Sequence, residues 1–287
     1  MENKNTNPLQ KYFRQPKIYL SLPSNGKYYP AGSLEISENG EYPVFPMTAR
    51  DEIMIKTPDA LLNGQATASV ITSCIPAIKD PFNMPSMDLD ACLIAIRIAT
   101  YGEMMEVSIK VPVTGEDKDF DLDLRIMLDQ FSNVDYNSAI QLDGMIVNLR
   151  PLTYGEFTET SRKTFDEQRI FNVINDTDMA EGDKLATFTE SFKKLTDLTI
   201  LTLEKSIASI EVGDDVVTDQ AHIKEFIANT DQGLFESVTN HIEEQRTKFQ
   251  VKPLVVDATP EEIEAGVPET YEVPVTFDQS SFFASGS

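Results

Sequence analysis

Tryptophan is absent from this chain, and cysteine and histidine occur only twice each in 287 residues. His222 and His241 fall on separate predicted helices with no cysteine or second histidine at ligand spacing, which excludes a zinc site of ordinary design. Cys74 and Cys92 lie on apolar helical faces. Two such cysteines are too few for a disulfide framework and read as small buried hydrophobes in a reducing compartment. No glycine-rich phosphate loop, nucleophile elbow or zincin pattern occurs. Asp119, Asp121 and Asp123 imitate the start of a calcium loop, but the glycine at its sixth position is missing and Gln130 stands where the bidentate glutamate belongs. The run alternates as a strand and reads as a solvated sheet face. The expectation is therefore no catalytic residue, no cofactor and no metal.

Positive charge is also scarce. Forty-seven acidic residues face 24 basic ones, a net charge of −23. Such a field repels phosphate backbones and anionic membranes, so neither nucleic acid nor membrane is an expected partner. No run approaches the ~18 uninterrupted apolar residues of a membrane helix, and no basic segment followed by an apolar one opens the chain, so a signal peptide is not expected. The charge is unevenly placed. Residues 1–30 carry five basic groups (Lys4, Lys11, Arg14, Lys17 and Lys27) against Glu2 alone, a net of +4 that leaves −27 for the remainder. A basic, aromatic arm on an acidic body can dock on an acidic neighbour, including another copy of the chain; an ordinary solvated terminus is the plainer alternative.

What is present is a mixed pattern of short strands and amphipathic helices. A strand over 18–22 closes at the turn Pro23-Ser-Asn-Gly26, and a second strand lies near 42–45. Thr48 with Asp51 marks a helix start, Thr57-Pro58 repeats the signal, and Asn63-Gly64 closes that short helix. Leu89, Cys92, Leu93, Ile96 and Ala99 recur at helical spacing up to the stop at Gly102, giving a core helix whose one basic residue is Arg97. Residues 104–125 alternate apolar and polar about the Thr114-Gly115 turn, which predicts an antiparallel hairpin covered on one side. Its Val107, Ile109, Leu122 and Leu124 face should pack on the helix at 88–101.

A strand over 145–149 leads to a capping box, Thr153 with Glu156, and a helix of about 20 residues. Leu185, Phe188, Phe192, Leu195, Thr199, Leu203, Ile207 and Ile210 then form one apolar stripe, to be buried in the fold or against a partner helix. Asp219 and Asp231 cap two more helices. Strands at 248–256 and 271–277 flank an acidic, proline-containing loop and echo the earlier hairpin. The fold class is α+β, with antiparallel hairpins on amphipathic helices. The expected division is a basic arm (1–17), an α+β core (18–150), a helical region (151–248) and a strand-loop-strand with an aromatic tail (249–287).

Several of these segments, in order, resemble a known family. Leu22-Pro-Ser-Asn-Gly-Lys-Tyr-Tyr-Pro30, Met47-Thr-Ala-Arg-Asp-Glu52, Leu61-Leu-Asn-Gly64, the helix 88–102 and the following hairpin are similar to the baseplate hub and hub-assembly proteins of contractile-tailed, T-even-type bacteriophages. The ending Val275-Thr-Phe-Asp-Gln-Ser-Ser-Phe-Phe283 is similar as well. Some proteins of this type carry Cys-x-x-Cys pairs in hairpin loops, which suggests a metal clip. Here those positions read Val111-Pro-Val-Thr-Gly-Glu and Val256-Asp-Ala-Thr-Pro, without cysteine.

The resemblance implies a structural or assembly role at the virion tail baseplate, and in the host cytoplasm during assembly. Partners would be other baseplate or hub proteins, the tape-measure protein and copies of the chain itself. A transient chaperone of the hub or tape-measure protein is the first alternative, and a tail-borne hydrolase of cell-wall glycan the second. Tyr12, Phe13, Arg14 and Lys17 of the arm, with Phe277, Phe282 and Phe283 of the tail, are the candidate partner-binding residues. They set large apolar groups among residues too polar to form a core of their own. For the tail, folding back onto the chain's own sheet is the competing expectation.

Overall fold

The computed structural model describes residues 8–56, 64–132, 134–176, 181–273 and 282–283. It is an α+β protein whose apolar side chains gather in three clusters. The first is built from the N-terminal half. β1 (Ile18–Ser21) pairs antiparallel with β2 (Glu41–Val44), placing Ile18 opposite Val44. α1 (Ala49–Ile55) starts on the Thr48/Asp51 capping box, with both reciprocal hydrogen bonds made. Thr57-Pro58 and Asn63 lie outside the described residues. Gly64 precedes α2 (Gln65–Cys74) at φ +72°.

α3 (Leu89–Tyr101) crosses this cluster, and Leu93, Ile94, Ala95 and Ile96 are all buried within it. Burial on every side suits the helix's near-continuous apolar composition. Arg97 is buried too, so the helix has no wet face at that turn.

β3 (Met104–Lys110) and β4 (Asp117–Asp123) form the expected hairpin, with Met105 opposite Leu122 and Val107 opposite Phe120. Its cover differs from the expectation. Met105, Val107 and Leu122 pack on the first cluster, whereas Ile109 and Phe120 pack on another formed by Val111, Val256, Val267, Tyr271 and Val273. Leu124 has left the strand and opens α4 (Leu124–Asp129), its side chain buried in the first cluster. The hairpin is too long for one helix to cover, so its far end needs a second apolar surface. That surface comes from β9 (Leu254–Asp257) and β10 (Thr270–Val273), an antiparallel pair joined through the short α9 (Pro260–Glu264).

A four-stranded antiparallel sheet organises the remaining cluster. β5 (Ala139–Leu142), β6 (Met145–Leu149), β7 (Ile207–Val212) and β8 (Asp215–Val217) lie in that order. Between β6 and β7 the chain runs out along α5 (Tyr154–Asp176) and back along α6 (Glu181–Ser206). α7 (Gln220–Asn229) and α8 (Gln232–Lys248), capped by Asp219 and Asp231, cover the sheet with Ile223, Ile227 and Val238. The sheet joins strands on either side of residue 150, since Val147 pairs with Ile210. One expectation is corrected: the apolar stripe does not stay helical, because Ile207 and Ile210 belong to β7.

Candidate functional site

Arg14 ties the arm to the body. Arg14 donates from Nη1 to the Pro46 carbonyl at 2.5 Å, and from Nη2 to the Ser73 carbonyl at 2.6 Å and Ser73 Oγ at 2.8 Å. Its Nη1 also lies 3.6 Å from Asp51 Oδ2. That carboxylate accepts from Thr48 and from Ser73 Oγ while it caps α1. Arg14 therefore serves as a tether inside the molecule. Lys17 is exposed, and its backbone N–H bonds the Val44 carbonyl as an extension of the β1–β2 ladder. The segment just before the tether forms a 3-10 turn, Pro8–Tyr12. There Tyr12 is 74 % exposed and Phe13 56 %, an unusual position for two adjacent aromatic rings on a fixed backbone.

The tail goes the other way. Phe282 and Phe283 are fully buried in the first cluster, beside α3. The Phe282 ring lies under the Arg97 guanidinium, 5.6 Å from its centroid, with Tyr101 at 4.9 Å. Tyr101 Oη donates to the Phe283 carbonyl at 3.2 Å. Among the described residues Arg97 Nε and Nη1 have no hydrogen-bond partner, and the two rings face the guanidinium instead. Burial lowers the Arg97 pKa from its ordinary value. Phe277 lies outside the described residues.

The loop Leu22–Pro30 closes on the start of α3. Asp88, completely buried, accepts from Ser24 N–H at 2.7 Å, Ser24 Oγ at 2.6 Å and Tyr29 Oη at 2.9 Å. Burial pushes its carboxyl up to about 6, against the pull of those three donors, and raises the Tyr29 hydroxyl strongly. Gly26, at φ +71°, turns the loop where a Cβ would meet Leu34 at 3.3 Å and Tyr42 at 3.4 Å. Sixty-four residues separate Ser24 from Asp88, and no local spacing signals that they meet.

A groove of about 760 Å³ opens between α5, α6 and α8, with the start of α3 as its floor. Phe157 and Phe165 of α5, Leu195 and Leu198 of α6 and Ile242 of α8 make its apolar walls. Asp90 also lines it. The other charged groups in the wall are already paired: Arg150 bidentate to Glu156, and Arg246 to Glu243. Among the described residues no cation or hydrogen bond meets Asp90, and burial raises its pKa to about 6. Beyond the groove, the same stripe of α6 stays in solvent, with Leu185 67 % and Phe192 61 % exposed. The structure thus divides the predicted stripe into an exposed half, a groove wall and a core segment.

The residues that could have carried chemistry are set apart from one another. Burial pushes the Cys74 thiol up to about 12 and raises Cys92 well above its ordinary range, leaving both unreactive. His222 is exposed and His241 Nε2 lies 3.0 Å from the Asn137 carbonyl. Among the described residues no three His, Cys, Asp or Glu side chains are placed to hold a metal ion, and no helix is long and apolar enough to cross a membrane.

A family model described as T4 bacteriophage base plate protein matches residues 15–258. The chain belongs to that family. No curated protein and no solved structure matches it. In this base plate protein the Ser24–Asp88 clamp, Gly64 and the groove all fall inside the matched region, whereas Tyr12 and Phe13 precede it and Phe282 and Phe283 follow it. The matched region contains α1–α8 and β1–β9, whereas α9, β10 and Val267, Tyr271 and Val273 of the third cluster follow it. The exposed aromatic pair lies just before its start.

Proposed function

We propose that this base plate protein is a structural subunit of the hub, binding neighbouring tail proteins without catalysis. The family match over residues 15–258 carries the reading. The molecule's surfaces agree with it. An outward aromatic arm, an apolar groove and an exposed helical stripe are features of a protein that is completed by neighbours. Burial raises the Asp90 pKa to about 6, yet among the described residues nothing hydrogen-bonds to it, and the chain has no tryptophan platform on which a sugar could stack.

A phage lacking this chain should fail to complete tails, and supplying the chain in the same cell should restore them. Normal tails in its absence would remove the structural reading. Zymography on peptidoglycan with the purified protein should give no clearing, and a cleared band would move it to the hydrolases. Pull-down from infected cells should recover baseplate proteins, with the tape-measure protein as the neighbour of most interest.

A further inference from the structure

We propose that the groove between α5, α6 and α8 receives the Tyr12-Phe13 segment of a second copy, so that the chain associates with itself head to tail. The inference rests on the reading of the protein as a structural subunit, and three observations carry it. Arg14 pins the arm at Pro46 and Ser73 and leaves Tyr12 and Phe13 outward, so the segment is ordered before it binds and little entropy is lost in fixing it. Among the described residues none from the arm lines the groove, so Tyr12 and Phe13 do not occupy the groove of their own chain. The two surfaces also complement each other chemically. Among the described residues the groove has apolar walls and one unpaired carboxylate, Asp90; the arm offers two aromatic rings with Lys11 and Lys17 on either side.

Charge selects the second copy as the occupant. With a net of −27 outside residues 1–30, two bodies repel wherever acidic faces meet, whereas Lys11 and Lys17 of the arm bring the opposite sign to a second copy. The groove volume of about 760 Å³ lies in the ~300–1,000 Å³ range of pockets that enclose a compact group. Because arm and groove are different surfaces, the contact is heterologous. Each copy keeps one free arm and one free groove, so association continues past the dimer unless a ring closes.

Sedimentation of the full-length chain tests this with three variants. Wild type should associate with rising concentration, and more weakly as sodium chloride is raised. Y12S/F13S removes the anchors, and Thr199→Arg places a bulky cation at an exposed groove position; each should weaken association by about thirtyfold, the loss expected for interface anchors. Asp90→Asn should weaken it by about tenfold. The decisive sample mixes Y12S/F13S with Thr199→Arg. One partner retains the groove and the other the arm, so they should form a one-to-one dimer and nothing larger.

A Thr199→Arg chain that fails to fold would be replaced by Gln168→Arg, at another exposed lining position. A wild type that stays monomeric up to about 100 μM, the weak end of specific assembly, would overturn the proposal, as would variants that associate like wild type or a mixture that stays monomeric. A monomer that is nevertheless present in the virion would overturn this inference alone and leave the structural-subunit reading standing.

Discussion

Gly64 has two independent reasons to be glycine. Its φ is +72°, and a Cβ there would lie 2.7 Å from the Tyr154 hydroxyl and 3.2 Å from Thr158 Cγ2. Gly64→Ala should therefore cost about 2 kcal/mol or more, combining left-handed strain with overpacking; a urea midpoint unchanged from wild type would contradict it. Asp88→Ala leaves the Ser24 N–H, Ser24 hydroxyl and Tyr29 hydroxyl without their acceptor in a buried site, and at ~1–3 kcal/mol per lost partner should destabilise by about 3 kcal/mol. Asp90 acts in the opposite sense. Its folded pKa of about 6 exceeds the ordinary 3.8, so the stability linked to it is full below about pH 3.8 and is lost as pH rises through about 6. Asp90→Asn should match wild type near pH 4 and gain on the order of 1–3 kcal/mol by pH 7.5. A difference in urea stability that does not change with pH would contradict this assignment. The same variant should associate less while melting higher, a combination that a purely structural Asp90 would not give.

At the scale of elements, the sequence was most legible where the signal is local. The capping box at Thr48 and Asp51, that at Thr153 and Glu156, and the aspartate caps of α7 and α8 each need only three or four residues, and each is made. β6 and the 104–123 hairpin were equally readable, from β-branched content and alternation. β7 was not, because Leu203, Ile207 and Ile210 keep helical spacing across the point where α6 ends. β5 and β8 are only four and three residues long. The dipeptides Asp143-Gly144 and Gly213-Asp214, which turn them onto β6 and β7, were the available clue. Among the site residues, exposure of Tyr12 and Phe13 follows from their polar surroundings, whereas the tethering role of Arg14 and the clamp at Asp88 depend on long-range contacts that composition does not encode. α3 supplies the element-scale prediction. Ile96 is completely buried in the first cluster, so Ile96→Asp buries an unpaired carboxylate and should abolish cooperative unfolding of that cluster. A variant that melts like wild type would place Ile96 outside the core.

For the whole molecule, three clusters are linked by shared elements: the β3–β4 hairpin spans the first and third, Leu254 touches both, and the tail returns to the first through Phe282 and Phe283. The α5–α6 hairpin departs from this arrangement, leaving Phe157, Phe165, Leu185, Phe188 and Phe192 exposed and supplying two walls of the groove. That distribution, a closed acidic body with outward aromatic and apolar features, is what a subunit of a larger particle requires, because its free surfaces are covered only on assembly. Mass spectrometry of purified phage particles tests the central claim most directly. The account predicts that peptides of this chain are present at a fixed ratio to other baseplate proteins and remain after washing in high salt; intact, infectious particles from which the chain is absent would contradict it.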